Sequence, residues 1–414
     1  MAEERIAVIG GGVIGIAVAA VLAGRGRRVD VFEAREIAAG ASFGNAGGIA
    51  VSEVVPLSGP GMLRQVPGWL LDAEGPLAIR WPDLPGLVPW LWRFLQAGRA
   101  DRIEKQARAL AALMGRVYPE WEPLLAAAGL SSMLRRNGAI TVYRHPGALA
   151  ADAFGWDLRR RHGVRIETLS AREIRDLEPA LADDFVAGMR TPDWGHVGDP
   201  GGLVTGLWRY AAGTGRASLH RRAVRRVIPR EPGGELIFHD GGRACFTHVV
   251  IAAGVWSRAL CAGLGWQVPL AAERGYHITL SDPGVELRGM VTFGERKFVA
   301  TSMDMGLRLA GTVELGRAEG GENWRRADIL AEMGRRYFNG LRTGNASRWM
   351  GPRPSLPDSL PVIGTDPRHK GIHYAFGHGH LGLTQASVTA AMIADLIMGR
   401  HPAVDPAPFS IARF

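Results

Sequence analysis

Cysteine is nearly absent from this chain: Cys245 and Cys261 are the only two among 414 residues, with no CxxC pair and no ligand histidines nearby. That excludes a disulfide framework and a structural zinc site, so no metal is expected and a reducing, cytoplasmic setting is. A long unbroken apolar run is missing too. Residues 6–23 come nearest, but they follow Glu3 and Glu4 and are interrupted by Gly10, Gly11, Gly12 and Gly15. Such a stretch is a poor membrane span and a good strand, turn and helix, so neither a cleaved signal nor a transmembrane segment is expected.

What is present is ordinary for a soluble protein in bulk, with 47% hydrophobic and 21% charged residues. The length suits two domains, interleaved or consecutive. Glycine is plentiful at 56 residues, which anticipates tight turns and close backbone approaches. The formal charge of +9 is compatible with nucleic acid, an anionic membrane surface, or anionic substrates and cofactors. Arginine supplies nearly all of it and is scattered. Its densest run, Arg221, Arg222, Arg225 and Arg226, reads as a solvated face, and no nucleic-acid partner is expected.

The first chemistry-bearing motif is Gly10-Gly11-Gly12-Val13-Ile14-Gly15, between an apolar strand at 5–9 and a helix at 13–23. In a GxGxxG turn Gly10 permits the bend, Gly12 lets backbone approach a pyrophosphate, and Gly15 lets helix and strand pack closely. The helix N-terminus at Val13 and Ile14 then offers free N–H groups to phosphate. A second strand at 29–32 ends at Glu33, placed to accept hydrogen bonds from ribose hydroxyls. This unit predicts a dinucleotide site and leaves FAD and NAD open. The next segment, residues 40–48, is rich in small residues. An NAD enzyme would continue into another regular crossover here, whereas Ala41, Ser42, Asn45, Ala46 and Gly47 would let the chain wrap a large flat ring.

In these motifs the sequence resembles the FAD-dependent D-amino-acid dehydrogenase family, within the oxidoreductases that include glycine oxidase and sarcosine oxidase. The likeness covers nearly the whole chain. Its most specific parts are the glycine fingerprint, the loop at 42–48, Gly351-Pro352-Arg353-Pro354 running on to Gly364, and Gly377-His378-Gly379-His380-Leu381-Gly382-Leu383-Thr384. The resemblance implies an α/β fold in which a Rossmann-type FAD-binding domain (1–55, 198–264 and 346–414) is interleaved with a mixed-sheet α+β substrate domain (56–197 and 265–345). It implies non-covalent FAD, because neither cysteine falls in the C-terminal element where the sarcosine oxidase branch tethers its flavin. Val224, Ala253 and Gly254 join the cofactor-binding residues on the same ground, and residues 379–384 are expected to face flavin N1 and C2=O, where charge accumulates on reduction.

Oxidising a Cα–N bond requires above all that Cα be held beneath flavin N5. Arg353, stiffened by Pro352 and Pro354, is expected to clamp the substrate carboxylate, with Tyr276 as a second carboxylate contact. His380 is expected to line the pocket. Within the family this position is often a small hydroxyl residue, so histidine turns attention from alanine-type substrates to cyclic ones such as D-proline or hydroxyproline. Asp199, before Pro200, reads as a helix cap.

Residues 56–94 carry Trp69, Leu70, Leu71, Trp81, Leu87, Trp90, Leu91, Trp92 and Phe94, punctuated by prolines. They pack over the substrate domain, or they form an interfacial patch that brings the flavin to membrane quinone, with Arg64, Arg80, Arg93 and Arg99 favouring anionic lipid. The expected activity is oxidative deamination of a D-amino acid, with electrons passed to a quinone or other carrier. Two alternatives stand beside it: a sarcosine- or glycine-type amine oxidase using O2, and a tRNA-associated flavoprotein.

Overall fold

The computed structural model describes residues 4–59, 68, 72 and 74–414. Residues 6–9 are wholly apolar and β-branched but for Ala7, and all are buried, as a parallel strand covered on both faces requires. They lie centrally in a six-stranded sheet ordered Ala217–Arg221, Val29–Glu33, Ile6–Ile9, His248–Ile251, Ile372–Phe376 and Val362–Thr365. The first five strands are parallel and the sixth is antiparallel. Helix Val13–Gly24 packs against Gly382–Ile397 and Pro200–Gly213. Asp199 caps the last of these by accepting from Gly202 N at 2.8 Å. Strand order reverses direction around Ile6–Ile9, so the crevice beyond its C-terminal end is where a ligand belongs.

The second, nine-stranded sheet is mixed. Its order is Ala346–Ser355, Ala271–Leu280, Gly306–Gly316, Phe298–Met303, Met290–Phe293, Ala139–Tyr143, Ala187–Thr191 and Glu167–Ser170, with Leu77–Ile79 added beside Gly306–Gly316. The segment 346–414, assigned from sequence to the cofactor domain, thus opens with an edge strand of this large sheet. An edge tolerates Pro352 and Pro354, whose missing N–H groups would break a central ladder.

In the apolar segment, Trp69, Leu70, Leu71 and Arg64 lie outside the described residues. Helix Leu84–Ala97 contains Pro89 and buries Leu87 and Trp90 against Ala271 and Leu315. Trp81, Val88, Trp92 and Leu95 are exposed. Val88, Trp92 and Leu95, at i, i+4 and i+7, form one outward stripe on the helix, and Trp81 lies in the short turn just before it. Among the described residues no helix is long and apolar enough to cross a membrane.

Candidate active site

A cavity of about 1080 Å³ runs from the C-terminal ends of the parallel strands to the inner face of the large sheet. At the nucleotide end Gly10 has a φ of 117°, and a Cβ there would collide with Ala252 O, so the backbone itself demands glycine. Gly15 does not line the cavity; a Cβ on it would collide with Gly10 O, where helix meets strand. Gly12 differs from both. Its φ of −76° suits any residue, and a Cβ would meet only Ser42 Oγ, at 3.3 Å. The space above Gly12 is kept clear of protein.

Glu33 stands at the same rim, accepting from Gly11 N at 2.6 Å and Arg35 N at 2.9 Å. Val224, Ala253 and Gly254 line this end as well. Of the arginine run, Arg222 holds Asp240 with two hydrogen bonds and Arg221 pairs with Glu36.

The loop at 40–48 is held from three sides. Arg308 donates to Asn45 O at 2.5 Å, and a His277 ring nitrogen lies 3.0 Å from Gly44 O. Thr384 Oγ1 accepts from Ala50 N at 3.0 Å and donates to Gly48 O at 3.2 Å. Asn45 Oδ1 accepts from Gly47 N at 2.8 Å, closing the turn from within. Ala41, Ser42, Asn45 and Ala46 reach the cavity and Gly47 does not. Burial lowers the His277 pKa to about 3 and that of Arg308 to about 10. His277 is therefore neutral at physiological pH and Arg308 charged.

The substrate end follows from strand register. Ala271–Leu280 pairs with Ala346–Ser355 so that Glu273 faces Arg353, Gly275 faces Gly351 and His277 faces Trp349. Directly opposed residues of an antiparallel pair project to one side, and here that side is the cavity. The two glycines leave a hollow. The Arg353 guanidinium lies over Gly275, where a Cβ would stand 2.5 Å from Cζ, and the Trp349 ring covers Gly351 and stacks on His277. Among the described residues the guanidinium makes no hydrogen bond or ion pair within the protein. Burial pulls its pKa down, and the Glu273 charge opposes that.

Tyr276 belongs to the other face. It is fully buried in the substrate-side core, its hydroxyl donating to Glu314 Oε2 at 3.2 Å and accepting from Asn323 N at 3.0 Å. It does not line the cavity, which corrects the expectation of a second carboxylate contact. Alternation along a strand turns it away from the face that Gly275 and His277 share.

Residues 379–384 all line the cavity, where helix Gly382–Ile397 begins. His378 is occupied with Thr389 Oγ1 at 3.0 Å. His380 lines the cavity and is exposed; desolvation by the surrounding protein lowers its pKa, and Glu53, Arg353 and Glu273 are the charges that act on it. Glu53 is held by Arg159 at 2.8 and 3.0 Å.

Residues 5–396 match the family model DAO, FAD dependent oxidoreductase. The chain belongs to this family. The protein is therefore an FAD-dependent oxidoreductase. It is similar over its full length to "D-amino-acid oxidase" of Bradyrhizobium diazoefficiens, at 37% identity with 100% of both chains covered. Against "D-amino acid dehydrogenase 2" of Ralstonia nicotianae it is 34% identical, covering 99% of this chain and 100% of the other. Among solved structures, glycine oxidase from Geobacillus kaustophilus superposes with a TM-score of 0.72 at 24% identity, covering 99% of each chain. L-proline dehydrogenase from P. horikoshii gives 0.76 at 19%, covering 100% of this chain and 98% of that one. These two likenesses establish the fold.

The cavity of this oxidoreductase fits FAD on its own evidence. The clear space above Gly12 suits a pyrophosphate, Glu33 suits a ribose, and the helix start at Gly382 suits an electron-rich ring edge. Cys245 and Cys261 are free thiols and neither lines the cavity. Sequence reasoning passed over Glu273 and Trp349. The signal available was alternation: Glu273, Gly275 and His277 share one face, as do Trp349, Gly351 and Arg353.

Proposed function

We propose that this chain oxidises the Cα–N bond of a D-amino acid to an imino acid, which water converts to the 2-oxo acid. Bound FAD would supply the hydride acceptor. Arg353 would hold the substrate carboxylate, Trp349 and His380 would wall the space around Cα, and Asn45, Gly379 and Gly382 would lie along the flavin. The observation that carries this reading is the Arg353 guanidinium, desolvated, facing the cavity and unpaired within the described protein. A cavity-lining cation that the protein leaves without a hydrogen bond or ion pair calls for an anionic ligand, and guanidinium matches carboxylate two bonds to two. The D series is supported by the names of the full-length relatives. The finer class we propose is cyclic, D-proline or hydroxyproline, because the bulk of His380 beside Arg353 favours a compact ring over an extended side chain.

A panel of D- and L-amino acids, with proline analogues, scored by anaerobic bleaching of the flavin tests this directly. D-Proline or hydroxyproline is expected to bleach fastest and the L-enantiomers slowly or not at all. Bleaching by L-amino acids alone would overturn the assignment.

For the electron acceptor we propose a quinone or comparable carrier, met at the inner face of a membrane. What supports this is the exposed stripe of Val88, Trp92 and Leu95 with Trp81 exposed just before their helix, and Arg93 and Arg99 exposed nearby. Trp90 is buried and donates to Ser355 O, so it belongs to packing and not to the stripe. The protein is expected to co-sediment with anionic liposomes, and Trp81→Ser with Trp92→Ser to reduce that binding severalfold while dye-linked turnover stays near wild type. Unchanged sedimentation, or stoichiometric peroxide during turnover, would favour packing and the O2-using alternative.

A further inference from the structure

Two charges of opposite sign line the cavity, and among the described residues neither makes an ion pair. Arg353 is one. Glu273 is the other: it is 8% exposed, lines the cavity, and sits directly across from Arg353 on the neighbouring strand. Its Oε1 accepts from Ser355 Oγ at 2.6 Å. Among the described residues no lysine, arginine or histidine nitrogen comes within ion-pairing distance of it, and Oε2 accepts no hydrogen bond.

The separation of the two charges is built in. Arg353 reaches along the strand over Gly275, and Glu273 turns the other way to Ser355. The remaining carboxylate near His380, Glu53, is already neutralised by Arg159. A buried carboxylate with no cation in direct contact is costly, and one ligand relieves both charges at once if it carries an anion and a cation on adjacent atoms. An amino-acid zwitterion has that form.

We propose that Glu273 receives the α-ammonium group of the substrate and takes a proton from it. The N–H bond breaks, an O–H bond forms at Oε2, and the electron pair stays on nitrogen. The amine left behind is neutral, which hydride loss from Cα requires, because its lone pair must delocalise as the C–H bond breaks. Ser355 holds Oε1, so the free oxygen keeps one orientation. This assignment rests on the amino-acid reading above.

Glu273→Gln keeps the shape of the side chain and an acceptor for Ser355 while removing the charge. The holoenzyme would be titrated with a D-amino acid and with the same acid lacking its amino group, following perturbation of the flavin spectrum, and turnover would be measured in parallel. The variant is expected to retain FAD, to bind the deaminated acid as well as wild type or better, and to lose on the order of ten- to a hundredfold in affinity and kcat/KM for the amino acid, as befits a lost charge-assisted hydrogen bond. Glu273→Asp, which keeps the charge on a shorter arm, should recover part of the preference.

Full kcat/KM in the glutamine variant, or an equal loss for both ligands, would overturn the proposal. So would a loss confined to substrates with basic side chains, since Glu273 would then meet the side chain and not the α-amine. If no amino acid bleaches wild type, the amino-acid reading itself fails and this assignment falls with it. If wild type is bleached and the variant keeps its preference, this assignment alone fails.

Discussion

Arg353→Ala is expected to lower kcat/KM for an amino-acid substrate by roughly two to four powers of ten while leaving FAD content at the wild-type level. The substitution leaves the substrate carboxylate desolvated and unpaired, and breaking a buried ion pair from one side costs about 3–5 kcal/mol. Arg353→Lys keeps the charge but loses the planar fork, so weaker binding and a misaligned Cα should follow. Gly275→Ala is the independent check. Its new Cβ would stand 2.5 Å from the guanidinium Cζ and displace the arginine without touching its charge. It should therefore reproduce much of the loss. The decisive comparison is an amino acid against its amide: wild type should strongly prefer the acid, and both variants should lose most of that preference. Full activity with an intact preference in Arg353→Ala would place the clamp elsewhere.

Replacing Gly12 with alanine or valine should abolish flavin retention and leave the apoprotein folded. The backbone there, at φ −76°, does not need glycine, and a Cβ would meet only Ser42 Oγ. On the proposed reading it is glycine to admit the ligand's pyrophosphate. Added FAD at a thousand times its wild-type dissociation constant should stabilise wild type by about 4 kcal/mol and the variant by little. Gly10→Ala offers the contrast: positive φ and the clash with Ala252 O should destabilise the fold before any ligand is considered. A yellow Gly12→Val protein with wild-type FAD content would put the pyrophosphate somewhere other than this turn.

The cofactor half of the molecule was largely legible because its signals are local. Ile6–Ile9, the glycine turn, Val13–Gly24 and Val29–Glu33 follow one another within thirty residues, and each is recognised from its neighbours in the chain. The antiparallel hairpin of Phe298–Met303 with Gly306–Gly316 is local in the same way, since a hairpin is set by its own turn.

The substrate half was legible by residue type but not by direction. Arg353 could be chosen for its chemistry and its prolines, and it does line the cavity. Tyr276 could not be placed, because one step along a strand reverses a side chain, and which face meets the cofactor depends on a neighbour some seventy residues away. Trp90 and Trp92 look alike in sequence; packing against Ala271 and Leu315 buries the first and leaves the second exposed. What the sequence alone determined, then, is the dinucleotide turn, the class of cofactor through family likeness, and the alternation of strands and helices, all carried by contacts between residues near in the chain. The register that sets Glu273 across from Arg353, the hollow over Gly275 and Gly351, and the inward or outward aim of each aromatic were decided by the tertiary structure. They arise where Ala271–Leu280 and Ala346–Ser355 meet, and no local rule sets the register between strands so far apart.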